Sequence, residues 1–180
     1  MTELLVDDHA EVDALFRDLW REFDGGDARG VLERLDYLWA RLAVHIRAEH
    51  LHLFPALLAP SAGRHGQGND AAPAPGEVRA AVEHLREDHD FFMRELARAV
   101  NAARELSARG GPPESERLLP VRGIASAVAE RLVEHNRAEE EQVYRWPVLL
   151  LADSELDAVR EGMRREIENL PPRFSEGRQH

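Results

Sequence analysis

Residues 45–49 read His45-Ile-Arg-Ala-Glu49, and residues 135–139 repeat the pattern as His135-Asn-Arg-Ala-Glu139. In each copy a histidine precedes a glutamate by four residues, and an apolar run containing a proline follows. Four residues advance a helix by about 400°, so the two side chains share one face, one turn apart. An imidazole and a carboxylate placed in this way can bind one metal ion together or bridge two. The repeat therefore predicts two helices that face a common metal site.

A shorter repeat precedes each copy. Asp8-His9 lies upstream of the first pair and Asp88-His89 upstream of the second, each followed by apolar residues at helical spacing. The chain thus resembles two tandem helical hairpins, each supplying one histidine and then one His-x-x-x-Glu pair. The six candidate metal ligands are His9, His45, Glu49, His89, His135 and Glu139.

Glycine and proline divide the chain into helical blocks. No segment alternates apolar and polar residues over a strand's length, and β-branched residues are sparse, so no strands are expected. Four long helices predict an all-α, up-down-up-down four-helix bundle with a short additional C-terminal helix. The predicted blocks are 2–23, 27–58, 77–107, a fourth from Glu114 or Pro120 to 151, and 154–169, with a flexible connection over 60–76.

The predicted domain organisation is one bundle at residues 1–152, an accessory helix at 153–170 and a polar tail at 171–180. An apolar stripe on the accessory helix predicts either packing across one end of the bundle or a homodimer contact. The stripe consists of Leu156, Val159, Met163 and Ile167.

The four histidines lie in the apolar stripes of their helices, as His89 does between Leu85 and Phe92. At about 1.5 Å per residue, His9 and His45 lie roughly 22 and 27 Å from the turn between their helices. The distances for the other neighbouring pairs also match, so an up-down arrangement brings all four imidazoles to one height. Two glutamates buried there without compensation would cost several kcal/mol. A pair of cations removes that cost because the carboxylates become ligands.

Composition excludes several other classes of site and partner. The chain has no cysteine, which excludes disulfides, cysteine-ligated zinc, iron–sulfur clusters and thiol catalysis. A net charge of −11 argues against nucleic acid and anionic membrane surfaces as partners. The first residues do not resemble a signal peptide, and no apolar stretch approaches membrane-spanning length. A soluble cytoplasmic protein is expected.

Several further polar residues have both a structural and a functional interpretation. Asp8, Asp88 and Glu140 either orient imidazoles from behind or are solvated. Tyr37 is expected in the core rather than beside the metals. Other histidines are expected at the surface or in supporting positions: His50, His52, His65, His84 and His180.

The ordered combination of His9, His45-x-x-x-Glu49, His89 and His135-x-x-x-Glu139 resembles the hemerythrin-like, or HHE cation-binding, domain over about residues 5–151. The resemblance implies a four-helix bundle with an oxo- or hydroxo-bridged di-iron centre, in which the two glutamates are the bridging carboxylates. Invertebrate hemerythrins have a His-x-x-x-His in the third helix. Here Leu85 and Met93 occupy the positions four residues either side of His89. Fewer imidazoles leave more metal positions open to water, oxygen, peroxide or nitric oxide.

Imidazole and carboxylate ligands suit iron, manganese or zinc, and the family resemblance favours two iron ions. Three functional hypotheses follow. The chain is a binding module for a small diatomic ligand or for iron, an oxidoreductase acting on peroxide, oxygen, nitric oxide or a small substrate, or an interaction module with a structural metal. The third is disfavoured because structural metal sites are usually closed. The sequence does not decide whether the chain is an enzyme.

Overall fold

A computed structural model describes residues 2–59, 72–110 and 115–175. In these three ranges helices are the only regular secondary structure, which confirms the all-helical prediction. Residues 60–71 of the predicted connection, including His65, lie outside the described residues, as do Glu114 and His180. No helix in the described ranges has both the length and the apolar character needed to cross a membrane.

The described chain forms eight α-helices joined by short turns of other helical types. The second helix is followed by a π-helical turn, and the fourth predicted block is interrupted by a 3-10 turn. In chain order the elements are α1 (Thr2–Gly25), α2 (Ala28–Ala48), a π turn (Glu49–Leu53), α3 (Phe54–Leu58), α4 (Pro75–Arg109), a 3-10 turn (Ser115–Leu118), α5 (Leu119–Glu141), a 3-10 turn (Val143–Arg145), α6 (Trp146–Leu150), α7 (Asp153–Glu168) and α8 (Pro172–Ser175).

Five of these helices pack together. Helix α1 contacts α2 and α5, α4 contacts the same two helices, and α7 packs on α2 and the π turn. Contacts at both ends, Asp8 with His45 and Glu22 with Arg34, show that α1 and α2 run antiparallel. The finer assignment to a four-helix bundle with an accessory helix stays a prediction.

The helix ends follow from local sequence. Asp27 begins α2 as its N-cap, since its side chain accepts a hydrogen bond from the Arg29 amide at 2.9 Å. Helix α1 ends before Gly26, and α4 ends at Gly110, both with positive φ angles that glycine adopts without strain. These stops give α1 and α4 nearly the lengths that the sequence predicts.

Two predicted blocks differ from single α-helices. The second widens into the π turn at Glu49, and the fourth breaks at Gln142, whose backbone angles leave the helical region. Within the predicted polar tail, Pro172–Ser175 forms a short helix, and the Phe174 ring lies 5.4 Å from that of Tyr37. Neither the π turn nor the tail helix changes the pattern of apolar residues from which the blocks were predicted.

The core consists of two apolar clusters separated by a polar layer. On α4, Leu85 belongs to one cluster and Phe92 to the other, while His89 lies between them. On α1, His9 lies in the same way between Leu5 and Val12. The two His-x-x-x-Glu pairs lie at the same height, one at the end of α2 and the start of the π turn and the other on α5, so every predicted ligand lies in this layer.

Candidate metal centre

All six predicted ligands are buried in the polar layer. His9 is the most exposed of them at 5%, and the two glutamates have no exposed surface. The prediction that the four histidines face the interior is confirmed. The residues brought together are His9, His45, Glu49, His89, His135 and Glu139.

The four imidazoles form two pairs. The rings of His9 and His45, here called the first half-site, have centroids 5.0 Å apart. Those of His89 and His135, the second half-site, are 4.7 Å apart. Glu139 contacts both: its Oε2 is 3.3 Å from His9 Nε2, and its Oε1 is 3.1 Å from His135 Nε2. One carboxylate therefore offers a ligand atom to each half-site, within 4.8 Å of the imidazole nitrogens.

Glu49 is the second carboxylate shared between the half-sites. Its Oε2 lies 3.3 Å from His89 Nε2 and 3.7 Å from His45 Nε2. This oxygen and Glu139 Oε1 are both buried, and neither has a hydrogen bond of good geometry, although each lies close to an imidazole Nε2. Buried carboxylate oxygens without a partner are costly, so the layer has two acceptor atoms suited to a cation.

Carboxylates behind three of the histidines determine which ring nitrogen faces the layer. Asp8 Oδ2 lies 2.7 Å from Nδ1 of His45, and Glu140 Oε1 lies 2.8 Å from Nδ1 of His9. Asp88 Oδ2 lies 3.0 Å from Nδ1 of His135. A carboxylate only accepts, so Nδ1 donates and Nε2 of the neutral ring carries its lone pair inward.

His89 has neutral partners instead. Its Nδ1 is 3.0 Å from His50 Nε2, and its ring stacks on Phe54 at a centroid distance of 5.8 Å. His89 Nε2 points inward, 3.1 Å from His135 Nε2. Four inward-facing Nε2 atoms and two carboxylates thus meet in the layer, an arrangement that cations would stabilise.

Two arginines behind the aspartates were not identified from the sequence. Arg41 hydrogen-bonds Asp8 and also the main-chain oxygen of Ile167 at 2.9 Å. Arg131 donates to Asp88 Oδ1 at 2.6 Å. Burial opposes ionisation of Asp88, but its hydrogen bonds to His135 and Arg131 outweigh burial and lower the pKa of Asp88. Each arginine precedes its His-x-x-x-Glu pair by four residues, a duplication that longer comparison of the repeats reveals.

Tyr144 is a further site residue that sequence reasoning did not find. The side chain is fully buried, and its hydroxyl donates to Glu49 Oε1 or Glu139 Oε2, both 2.8 Å away. The other tyrosine, Tyr37, instead donates to Glu11 at 3.4 Å. Tyr144 follows Glu139 by five residues and lies beyond the break at Gln142, so the helical pattern gave no signal for it.

In the absence of cations, some of the buried side chains of the polar layer are protonated near neutral pH. Burial and the charge of Glu139 raise the pKa of Glu49 to about 8. Burial opposes protonation of His135, but the charge of Glu139 and the hydrogen bond with Asp88 outweigh it and raise its pKa to about 10. Burial lowers the pKa of His89 well below its ordinary value. Divalent cations would replace these protons between the same nitrogen and oxygen atoms.

A cleft of about 370 Å³ between α1 and α5 reaches the first half-site from outside. His9 and Glu140 form part of its wall, together with Val6, Asn136 and Arg137. The Glu140 side chain is 37% exposed, so the carboxylate that binds His9 Nδ1 also meets solvent. This cleft brings solvent to the outer edge of His9.

His84 and His52 lie where the sequence predicted them, at the surface or outside the candidate ligand set. His84 is at the surface with a side chain that is 66% exposed. His52 is partly buried beside Gly162 of α7. Neither contributes to the polar layer.

Comparison with protein-family models, with curated proteins and with solved structures finds no match for this chain. The chemistry of the layer is therefore inferred from its own residues.

Proposed function

We propose that the chain is a hemerythrin-like protein, in which α1, α2, α4 and α5 form an up-down-up-down bundle around two metal ions. Support comes from the antiparallel α1–α2 pair and from the cyclic order of neighbouring helices. Helix α7, packed on α2 and the π turn, is the accessory helix.

One observation carries the metal assignment: inward imidazole nitrogens and two glutamates meet in a buried layer, where Glu49 Oε2 and Glu139 Oε1 have no hydrogen bond of good geometry. In this proposal His9 and His45 would hold one ion and His89 and His135 the other, and Glu49 and Glu139 could each supply oxygen ligands to them. The ligand set suits iron, manganese or zinc, and iron is proposed on the sequence resemblance.

Two iron ions would supply binding of, or electron transfer to, a small molecule such as oxygen, peroxide or nitric oxide. The chain's own residues orient and tune the ligands. Three of the histidines donate a hydrogen bond from Nδ1–H to a carboxylate, namely that of Asp8, Asp88 or Glu140. This hydrogen bond keeps Nε2 directed inward and makes it more basic. The apolar clusters above and below exclude bulk water from the layer.

The proposed function is binding of, or reaction with, such a small molecule, or the handling of iron. An oxidoreductase acting on a small substrate is the second candidate, and the cleft beside His9 favours it because it brings solvent next to one candidate ligand. The two candidate functions differ in whether the bound small molecule is released unchanged or is converted to a product.

The test is to load the metal-free protein with ferrous iron anaerobically and then add oxygen or peroxide. We expect two irons per chain and a visible spectrum on oxidation. A spectrum that disappears when oxygen is removed supports carriage, whereas peroxide consumed over many turnovers supports an enzyme. His135→Ala should lower the iron content, while His84→Ala, at the exposed position on α4, should not. Equal iron content in both variants would contradict the proposal.

A further inference from the structure

The two half-sites have different neighbours shortly after the two glutamates. Five residues after Glu139, the Tyr144 hydroxyl lies 3.2 Å from His9 Nε2 and 3.5 Å from His45 Nε2. Five residues after Glu49, Phe54 stacks on His89 and offers no donor or acceptor atom. A phenol oxygen thus lies against the first half-site, where the second has only an aromatic ring.

The distances around the Tyr144 oxygen are those between ligands of one metal ion. Nitrogen and oxygen ligands bind at about 2.0–2.2 Å, so two ligand atoms at right angles are about 3 Å apart. The Tyr144 oxygen is 2.8 Å from Glu139 Oε2 and 3.2 Å from His9 Nε2. It therefore lies where it could bind the same ion as His9, His45 and Glu139.

The environment of Tyr144 also favours coordination over a purely structural role. Its side chain is fully buried, and its one proton faces two carboxylate oxygens at the same distance of 2.8 Å, Glu49 Oε1 and Glu139 Oε2. A hydroxyl can donate to only one of them at a time. A cation at the first half-site would interact favourably with both carboxylates and with the phenol oxygen.

We propose that Tyr144 is a ligand, as a phenolate, of the metal ion held by His9 and His45. This inference rests on the proposed function. On coordination, the O–H bond is replaced by a bond from oxygen to the metal, and the proton is released to solvent. The two half-sites would then differ, because the first would have a protein ligand that the second lacks.

The test uses the full chain loaded with ferrous iron and oxidised with ferricyanide. A phenolate bound to ferric iron absorbs in the visible, and excitation in that band enhances the ring vibrations of the bound tyrosine in the resonance Raman spectrum. We expect two irons per chain together with these vibrations. Tyr144→Phe should keep most of the iron and lose both the band and the vibrations.

Tyr37 supplies the matched control, since the chain has only two tyrosines. Tyr37→Phe leaves Tyr144 as the only tyrosine, so phenolate vibrations that persist in this variant belong to Tyr144 even if Tyr144→Phe does not fold. A chain that binds two irons without phenolate vibrations overturns this inference alone, as do vibrations that survive in Tyr144→Phe. A chain that binds no iron overturns the proposed function and this inference with it.

Discussion

Each histidine of the polar layer is supported by a residue from another helix. Asp8 supports His45 rather than its chain neighbour His9, and Asp88 supports His135 rather than His89. The residue that follows each glutamate contacts a histidine of the other hairpin: His50 contacts His89, and Glu140 contacts His9. Correct ligand orientation therefore depends on how the helices pack and not on any single helix.

Removing one supporting carboxylate should weaken metal binding without removing a ligand. We expect Asp8→Asn to lower affinity by about 10- to 100-fold, the usual effect of altering the partner of a metal-bound histidine. The control is Asp7→Asn, at an exposed position on the same helix. Competition with a chromophoric chelator measures both affinities. Equal affinities in the two variants would show that Asp8 does not orient His45.

The protons held by the metal-free layer predict its pH dependence. Glu49, with a pKa of about 8, and His135, with a pKa of about 10, hold protons near neutral pH that the unfolded chain has released. Unfolding between pH 7 and 9 therefore releases protons, and stability should fall as pH rises through this window. The lowered pKa values of His45 and His89 do not oppose this trend. Above the ordinary histidine pKa of 6.5 both residues are neutral in the folded and in the unfolded chain, so neither takes up or releases a proton on unfolding.

Urea unfolding of chelator-treated protein at pH 7 and pH 9 measures this effect. The midpoint should be lower at pH 9, and Glu49→Gln should reduce the difference because glutamine does not titrate. A midpoint that rises from pH 7 to pH 9 would show that the layer does not hold these protons.

Among the elements, the π turn Glu49–Leu53 begins at a candidate ligand. Such turns are rare and often occur at functional sites. Helix α7 covers the turn, and Gly162 lies against the His52 ring. The absence of a side chain at Gly162 lets α7 approach the element that carries Glu49.

Gly162→Ala should disturb this contact. The added Cβ would lie 2.7 Å from Cε1 of His52, so ring or helix must move. Overpacking typically costs about 1–3 kcal/mol, partly offset by the gain of about 1 kcal/mol for alanine over glycine in a helix. We expect a net loss of up to about 2 kcal/mol by denaturant unfolding. Gly123→Ala on α5, where nothing lies within 4 Å, should instead be neutral or stabilising.

Helix periodicity and the repeat predict the helical blocks and the six residues of the layer because both depend on local spacing. The π turn was not predicted, since widening the helix by one residue leaves the apolar pattern of Leu53 and Phe54 intact. The break at Gln142 was not predicted because neither glycine nor proline occurs there. Tyr144 lies beyond this break, so helical spacing from Glu139 gave no reason to place it in the layer.

At the scale of the whole molecule, the polar layer interrupts an otherwise continuous apolar core. Val12 and Leu5 lie on either side of it on α1, as Phe92 and Leu85 do on α4. A layer of buried carboxylates and imidazoles destabilises a metal-free fold, whereas ions that bind only the folded form stabilise it by mass action. In this organisation the two apolar clusters form the scaffold that holds the proposed metal site.

The most direct test of the account is anomalous diffraction at the iron edge from crystals of the iron-loaded chain. The account predicts two peaks in the polar layer, one within bonding distance of Nε2 of His9 and His45 and one beside Nε2 of His89 and His135, with Glu139 between them. Absence of anomalous density in the layer, or imidazoles turned towards water, would contradict it.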